Sequence, residues 1–350
     1  MAHKILILGA SYGSLLGTKL LMAGYDVTLV CRRGTADLIN AEGTDVRIQL
    51  RDEDEHRSFR SADMPGTLDA MPPEEVQVGN YDMVALAMSE PQYASDSILD
   101  LLHRVAEAGL PCLSIMNMPP LPYLRRIEGL DTGPLEPSFS CPEAWNAFTP
   151  GCVTLCSPDP QAFRLPESGA NVLHVGLPTN FKAAPFEKEE HTALLREMSE
   201  AIDELRVDGK DIPVKLKVFD SLFVPFAKWS MLLTGNYRCV QRDGVRPIQE
   251  AVHSDLERSR RVYEQVDNIV TRLGADPSDL VPFEKYAKAA EGLLKPSSAA
   301  RAIDSGADAI ERVDLLVKLI ADQVGASSAE LDDISATVTK RLSENQRAAA

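Results

Sequence analysis

The chain has 350 residues, of which 44% are hydrophobic, so it is long enough to bury two ordinary cores. Its 52 acidic residues outnumber its 36 Lys and Arg residues, which gives a net charge of −16. A field of this sign repels nucleic acid and anionic membranes, so a small-molecule partner is favoured. The first residues show no cleavable leader pattern, and no run reaches 18 apolar residues; we therefore expect a cytoplasmic protein without membrane spans.

The chain begins with the pattern of a βαβ unit. Residues 4–9 form a continuous apolar run typical of a strand buried on both faces. Residues 13–24 have helical spacing and end at Gly24, and residues 26–30 predict a second strand. This order predicts a dinucleotide-type α/β unit at the N-terminus.

The rest of the chain divides by its pattern into two parts. Residues 46–61 predict two short strands joined by a charged turn, and buried strands at 81–88 and 111–117 flank a helix at 97–109. Alternating strands and helices predict an α/β, Rossmann-like, doubly wound domain over 1–212. From residue 213 helical periodicity dominates, so we predict an all-helical substrate domain over 213–350, frayed at 343–350.

The six cysteines are scattered through the chain, unlike those of a disulfide-stapled secreted domain. Cys152 and Cys156 have the spacing of half a metal site, but no second Cys or His pair follows them. The residues between them favour a strand. We therefore predict no metal site.

The turn after the first strand reads Gly9-Ala10-Ser11-Tyr12-Gly13. A strand, a tight turn and a helix N-terminus together present backbone N–H groups to an anion, as in the pyrophosphate sites of Rossmann units. We therefore expect these five residues to bind a dinucleotide, with Gly13 keeping space for the pyrophosphate. The alternative is a purely structural turn.

The second strand is followed by Arg32 and Arg33, where an NAD site carries Asp or Glu to hold the ribose 2′-hydroxyl. A guanidinium suits a 2′-phosphate through charge-assisted hydrogen bonds. The pair therefore favours NADP as cofactor, and the alternative is two solvated surface charges.

Four segments of the chain resemble the ketopantoate reductase (2-dehydropantoate 2-reductase) family, and they occur in the family's order: "GSLLGTKLLMAGYDVTLVCRRG", "SIMNMPPLPYLRRI", "FAKWSMLLTGN" and "KPSSAARAIDSGADAIERVD". The resemblance implies an NADPH-dependent reductase of a 2-oxoacid or related carbonyl. It also implies that Asn117 lies near the nicotinamide.

The same resemblance implies roles for residues of the predicted helical domain. Lys228 matches the catalytic lysine and Asn236 a substrate-binding asparagine. Ser298 matches the serine of the family's K-P-S run, and Glu311 matches an acidic residue, with Asp308 as its competitor.

The residues themselves leave alternatives open at each of these positions. Lys228 lies in an apolar run and is either a general acid or a lysine whose head group reaches solvent. On a regular helix, Asn236 would lie roughly 12 Å along the axis from Lys228. Glu311, on a predicted amphipathic helix, binds substrate, orients Lys228 or is solvated. Ser298 could instead be a helix N-cap, and Asn117 a turn former.

Two other functions remain open from the sequence. One is an opine- or imine-type dehydrogenase of similar architecture, and the other is a dinucleotide-binding sensor without catalysis. A homodimer is a possible assembly in each case.

Overall fold

A computed structural model describes residues 3–51 and 53–349, and it divides into two compact units. The first unit comprises the chain up to Met88 together with Gln92–Tyr123 and Glu143–Leu222. The second comprises Ser89–Pro91, Leu124–Pro142 and Phe223–Ala350. The boundary at residue 213 that the sequence pattern suggests stays a prediction.

The strands of the described residues all belong to the first unit, apart from one isolated bridge described below. In chain order they are β1 (Lys4–Leu8), β2 (Asp26–Val30), β3 (Asp45–Gln49), β4 (His56–Arg60), β5 (Leu68–Met71), β6 (Met83–Leu86), β7 (Cys112–Ile115), β8 (Val153–Ser157), β9 (Gln161–Phe163), β10 (Val172–Leu177), β11 (Phe181–Ala183), β12 (Arg206–Val207), β13 (Lys210–Asp211) and β14 (Leu216–Val218).

Eight strands form the central sheet in the order β14-β11-β8-β7-β6-β1-β2-β5. Strand β1 lies between β2 and β6 and is parallel to both, with Ile5 opposite Val27 and Met83. All four residues from Ile5 to Leu8 are buried, as the continuous apolar run predicts. Because the order reverses beside β1, the carboxyl edge there has the position at which open α/β sheets bind ligands.

A second sheet of four strands, β4-β3-β10-β9, was not predicted from the sequence as a separate sheet. Its β3 and β4 are the two short strands expected between residues 46 and 61. Their partner β10 pairs with β3 in parallel across more than 120 residues of sequence. Such a pairing leaves no local signal, because nothing near β3 encodes which distant strand lies beside it.

The α-helices run through both units. In chain order they are α1 (Gly13–Met22), α2 (Arg33–Glu42), α3 (Asp96–Ala108), α4 (Leu121–Leu124), α5 (Pro142–Asn146), α6 (Glu189–Asp203), α7 (Ala227–Met231), α8 (Ile248–His253), α9 (Leu256–Arg272), α10 (Phe283–Ala290), α11 (Ser298–Asp304), α12 (Val313–Gln323) and α13 (Ala329–Ala349).

The fold class is confirmed: a Rossmann-like doubly wound sheet is joined to a helical C-terminal region. Within the described part of the second unit, extended pairing is limited to one bridge between Val240 and Val245.

The predicted fraying of residues 343–350 is wrong for the residues that the structure describes. Helix α13 continues to Ala349. The amide of Asn345 donates hydrogen bonds to the carbonyl oxygens of Ile303 and Ala307 at 2.8 Å each, which ties the last turns to the second unit.

In the described ranges, every helix is too short or too polar to cross a membrane.

Candidate functional site

The turn after β1 depends on a glycine at position 9. Gly9 has φ +105°, a region that other residues rarely adopt. A Cβ at this position would lie 2.6 Å from Cγ of Met88 and 2.8 Å from the carbonyl oxygen of Ala87. The backbone of the turn therefore lies directly against the residues that follow β6, at the edge where the strand order reverses.

Helix α1 begins at Gly13 and points its N-terminus at this turn. The first amide groups of a helix have no acceptor within it, and its N-terminus carries partial positive charge. The first turn of α1 contains no acidic side chain that would compete with a bound anion. Ser11 is exposed and its carbonyl accepts a hydrogen bond from the Ser14 hydroxyl at 2.8 Å, which fixes the turn. The arrangement fits a pyrophosphate.

Gly13 serves the packing of α1 on β1. A Cβ there would lie 2.5 Å from Cγ2 of Ile7 and 3.3 Å from Cβ of Ala87. The expectation that Gly13 keeps space open for the pyrophosphate is therefore wrong, because a side chain at this position would point into the core and not towards the ligand. Its backbone N–H, at the start of the helix, remains a predicted cofactor contact.

The Tyr12 side chain is held by the sheet. Its hydroxyl donates a hydrogen bond to the carbonyl of Pro160 at 2.7 Å, and its ring meets Phe181 edge-on at 5.9 Å. Burial raises the pKa of the Tyr12 phenol well above its ordinary value. Tyr12 is half-buried with its hydroxyl engaged, and Ala10 is buried, so both can offer a dinucleotide mainly their backbone groups.

Arg164 is a residue at this turn that the sequence reasoning missed. One terminal nitrogen of Arg164 lies 3.5 Å from the carbonyl oxygen of Ala10. Within the described residues its Nε is buried and has no hydrogen-bond acceptor. Burial lowers the pKa of this guanidinium, and nearby Cys31 acts in the opposite direction. A partly desolvated cation with an unused donor therefore lies beside the turn, and its 154-residue distance from Ala10 in sequence gave no signal.

The two arginines after β2 have different surroundings. Arg32 is the exposed N-cap residue of α2. Arg33 donates hydrogen bonds to both carboxylate oxygens of Glu75, which raises the pKa of Arg33 and lowers that of Glu75. Of the predicted pair, Arg33 is therefore already engaged by a carboxylate, and Arg32 is the one that extends from the end of β2 without a carboxylate partner among the described residues.

Asn117 lies two residues beyond β7 and is half-buried. Strands β1, β6 and β7 are parallel neighbours, so their carboxyl ends share one edge. The structure therefore brings the glycine turn, Arg32 and Asn117 to the same edge of the central sheet.

In the second unit, Lys228 lies half-buried on the short helix α7. The expected regular helix from Lys228 to Asn236 is wrong, because α7 ends at Met231 and a single π-helical turn, Leu232–Asn236, follows it. Turns of this type are rare and frequently occur at functional sites. The spacing between Lys228 and Asn236 is therefore set by an irregular turn.

Two hydrogen-bonded connections bring the other predicted residues of the second unit towards Asn236. The Ser297 hydroxyl donates to the carbonyl of Asn236 at 2.8 Å. Tyr237, next in sequence to Asn236, donates from its hydroxyl to the carbonyl of Glu311 at 2.5 Å. The segments that carry Asn236, Ser298 and Glu311 thus meet in one region of this unit.

The positions of Ser298 and Glu311 differ from two expectations. The N-cap of α11 is Ser297, whose Oγ accepts a hydrogen bond from the amide of Ala300 at 3.1 Å, whereas Ser298 is the exposed first helical residue. Glu311 lies before α12 and not on an amphipathic helix. Its competitor Asp308 is exposed, and its carbonyl accepts from Gln346.

A buried ion pair next to Glu311 also escaped sequence analysis. Asp314 is fully buried and accepts two hydrogen bonds from Arg312, at 3.0 and 2.9 Å. Burial raises the pKa of Asp314, while the guanidinium of Arg312 counteracts this shift. This pair fixes the backbone that carries Glu311.

No known protein-family profile matches the chain, and no curated protein sequence matches it. Solved structures do. The 2-dehydropantoate 2-reductase from Methylococcus capsulatus is 13% identical, with a TM-score of 0.66, over 98% of this chain and 97% of that one. A dimeric ketopantoate reductase from Staphylococcus aureus is 11% identical, with a TM-score of 0.61, over 98% and 99%. D-mandelate dehydrogenase in complex with NADH is 11% identical, with a TM-score of 0.60, over 97% and 99%.

These similarities extend over nearly the whole length of both chains in each pair. The resemblance inferred from the four sequence segments is confirmed for the fold: the chain is a divergent sequence with the fold of the ketopantoate reductases.

Proposed function

We propose that the protein is an NADPH-dependent reductase of a 2-oxoacid or a related carbonyl compound. The observation that carries the proposal is the turn at Gly9, which lies against Ala87 and Met88 where the strand order reverses. The fold shared with ketopantoate reductases supports the same class of chemistry.

The first unit would hold the cofactor. The N–H groups of Ser11, Tyr12 and Gly13 face a pyrophosphate in this proposal, and the cation of Arg164 beside Ala10 adds to them. Arg32 would bind the 2′-phosphate, and Asn117 would lie near the nicotinamide. NADPH, when bound, supplies the hydride.

The second unit would bind the substrate and supply the proton. As hydride reaches a carbonyl carbon, negative charge develops on the oxygen, and an ammonium group can stabilise and protonate it. Lys228 is the proposed proton donor. Asn236, Ser298 and Glu311 would bind the substrate, with Tyr237 and Ser297 positioning their segments.

The test replaces Lys228 by Ala and measures NADPH oxidation over a panel of 2-oxoacids. A lost general acid lowers kcat by about 10² to 10⁴, while NADPH affinity and the melting temperature stay close to wild type. Lys285→Ala, an exposed lysine on α10, is the matched control. Unchanged turnover in Lys228→Ala removes this residue from the mechanism.

A second candidate is an NAD-linked dehydrogenase. It is favoured by Glu75, a carboxylate that the fold brings to Arg33 beside the end of β2. The NADH complex of the similarly folded mandelate dehydrogenase is consistent with it. Running the panel with NADPH and NADH, with and without amines, separates this candidate, an opine- or imine-type dehydrogenase and a non-catalytic sensor.

We also propose a homodimer, since one of the similar structures is dimeric. Sedimentation velocity at micromolar concentration gives about twice the chain mass of 38.2 kDa if this is correct. A single species at the mass of one chain contradicts the proposed dimer.

A further inference from the structure

A cleft of about 180 Å³ lies within the second unit, on the segment that follows Asn236. Among its lining residues, Asp333 is the one acidic residue. The lining also contains four arginines: Arg238, Arg242, Arg246 and Arg258. Four guanidinium groups against one carboxylate leave a lining charge of +3 in a chain whose net charge is −16.

A tight backbone turn fixes two of the arginines. Val240 and Val245 form an antiparallel bridge, and Gly244 between them has φ +87°, which closes the turn. Arg341 on α13 donates hydrogen bonds to the carbonyl oxygens of Gln241 and Gly244, at 2.9 and 2.8 Å. The turn that carries Arg242, and that Arg246 directly follows, is therefore anchored to a helix.

Arg238 contributes a buried charge that lacks an anionic partner within hydrogen-bond range among the described residues. It is 6% exposed, and its guanidinium donates to the carbonyl of Thr234 at 3.2 Å and to the hydroxyl of Ser259 at 2.8 Å, both neutral groups. Burial, together with the positive charges of Arg258 and Arg246, lowers the pKa of Arg238 to about 10. Asp255 acts in the opposite direction but does not cancel this shift.

The single lining carboxylate interacts weakly with its neighbours. Asp333 lies 3.5 Å from a terminal nitrogen of Arg258 and 3.8 Å from one of Arg242, and about half of its side chain is exposed. Exposed ion pairs of this kind contribute little to stability. Arg246 donates to the Arg238 carbonyl at 3.0 Å and to the Ser254 hydroxyl at 3.4 Å, which are neutral groups. Most of the positive charge of the four guanidiniums is therefore not neutralised by Asp333.

We propose that this cleft is an anion site that binds the phosphate group of a small phosphorylated metabolite. Guanidinium groups bind phosphate oxygens bidentately, and convergent arginines are the usual means of holding a dianion. About 10–15 Å³ of a cavity volume of this kind is enough for one water, so the cleft has room for a phosphate group. It is much smaller than the roughly 300 Å³ or more of a site for a larger organic ligand.

The test is calorimetric titration of the full chain, without cofactor, at pH 7.5 and constant ionic strength. Inorganic phosphate and glycerol phosphate are the two probes, and they distinguish free phosphate from a phosphate monoester. We expect one saturable site for at least one of them. Binding should weaken about tenfold or more in Arg246→Gln and in Arg258→Gln, because each loses a charge-assisted contact. Arg261→Gln, an exposed arginine on the same helix as Arg258, should bind like wild type.

A variant that is expected to strengthen binding keeps the test independent of any damage to the fold. Asp333→Asn removes the one carboxylate in the lining, so phosphate should bind several-fold more tightly. The proposal is overturned if neither probe shows saturable binding, if Arg258→Gln binds like wild type, or if Asp333→Asn fails to bind more tightly. Loss of probe binding in Arg32→Ala would also overturn it, because the anion would then occupy the proposed cofactor site. None of these measurements uses turnover, so they are independent of the proposed reductase activity.

Discussion

Arginines that are neighbours in this sequence can have different partners in the structure. Arg32 and Arg33 are adjacent, yet Glu75 binds only Arg33 through both carboxylate oxygens. A sequence motif that looks like two equivalent cations is therefore one exposed cation and one ion pair. In the proposed function, selectivity between NADPH and NADH would depend on this difference.

Glu75→Gln should raise the affinity for NADPH relative to NADH by up to about tenfold, because it releases Arg33 to bind a 2′-phosphate. Fluorescence titration with each cofactor measures the ratio. Glu74→Gln, the neighbouring exposed carboxylate, is the control. Arg32→Ala should lower the affinity for NADPH and leave the affinity for NADH unchanged. If Glu75→Gln favours NADH instead, the Glu75 carboxylate does not keep Arg33 from binding the 2′-phosphate.

Lys19 is a buried charge that the sequence pattern does not reveal, since the pattern predicts only that residue 19 lies on a helix. It lies on α1, is 1% exposed, and its Nζ has no hydrogen-bond acceptor among the described residues. Burial, with a contribution from Lys215, lowers the pKa of Lys19 to about 7 from an ordinary value of 10.5. Between these values the unfolded chain holds the extra proton, so the stability of the fold rises with pH across this window and the full penalty applies below it.

Lys19→Met should therefore stabilise the protein most at pH 6, by about 5 kcal/mol in the free energy of unfolding, and progressively less towards pH 10. Chemical denaturation at a series of pH values measures this. Lys285→Met, at an exposed position, should show no such trend. The same gain at pH 6 and pH 10 would mean that folding does not lower the pKa of Lys19.

Among the elements, the contact of α1 with β1 determines what the glycine turn can tolerate. Gly9 is required by its backbone conformation, whereas Gly13 is required by the close approach of the helix to Ile7. Gly17, one turn further along, would place a Cβ at ordinary contact distances of 3.4 Å and more. Only the first turn of the helix is therefore pressed against the strand.

Gly13→Ala should destabilise the protein by about 2 kcal/mol, since the added methyl group overpacks the helix–strand contact. Gly34→Ala is the matched control: Gly34 also lies in the first turn of a helix, but its added Cβ meets no atom within 4 Å. The control should be neutral or stabilising, because Ala favours a helix over Gly. Thermal melts compare the two. A Gly13→Ala protein that melts like wild type would show that the helix can move away from Ile7 at little cost.

The segment with the predicted residues Lys228 and Asn236 is less regular than its sequence pattern indicates. Helix α9, Leu256–Arg272, lies where the sequence pattern predicts helical structure. By contrast, the apolar pattern from Lys228 to Asn236 predicts one regular helix, whereas the structure has a π-helical turn there. Hydrophobic periodicity reports which residues face the core, but one extra residue in a turn changes it too little to be seen.

At the scale of the whole molecule, local patterns determined the fold class. Continuous apolar runs predicted β1, β2, β6 and β7, because parallel strands are buried on both faces. Helical spacing predicted α1 between β1 and β2 and α3 between β6 and β7. These signals depend only on residues close together in sequence. The position of the glycine turn between β1 and α1 follows from them too, as does the expectation of a ligand at the carboxyl edge.

Tertiary structure alone decided which charges meet. The second sheet pairs β3 with β10, and the cleft of four arginines joins the Val240–Val245 turn to α9 and α13. Arg164 reaches Ala10 across 154 residues, and Glu75 reaches Arg33 across 42. Sequence determines which groups are available and which face of an element is apolar. Whether a given cation is paired, buried or open to a ligand depends on distant segments, because electrostatic and hydrogen-bonding energies are set by distance in space and by burial.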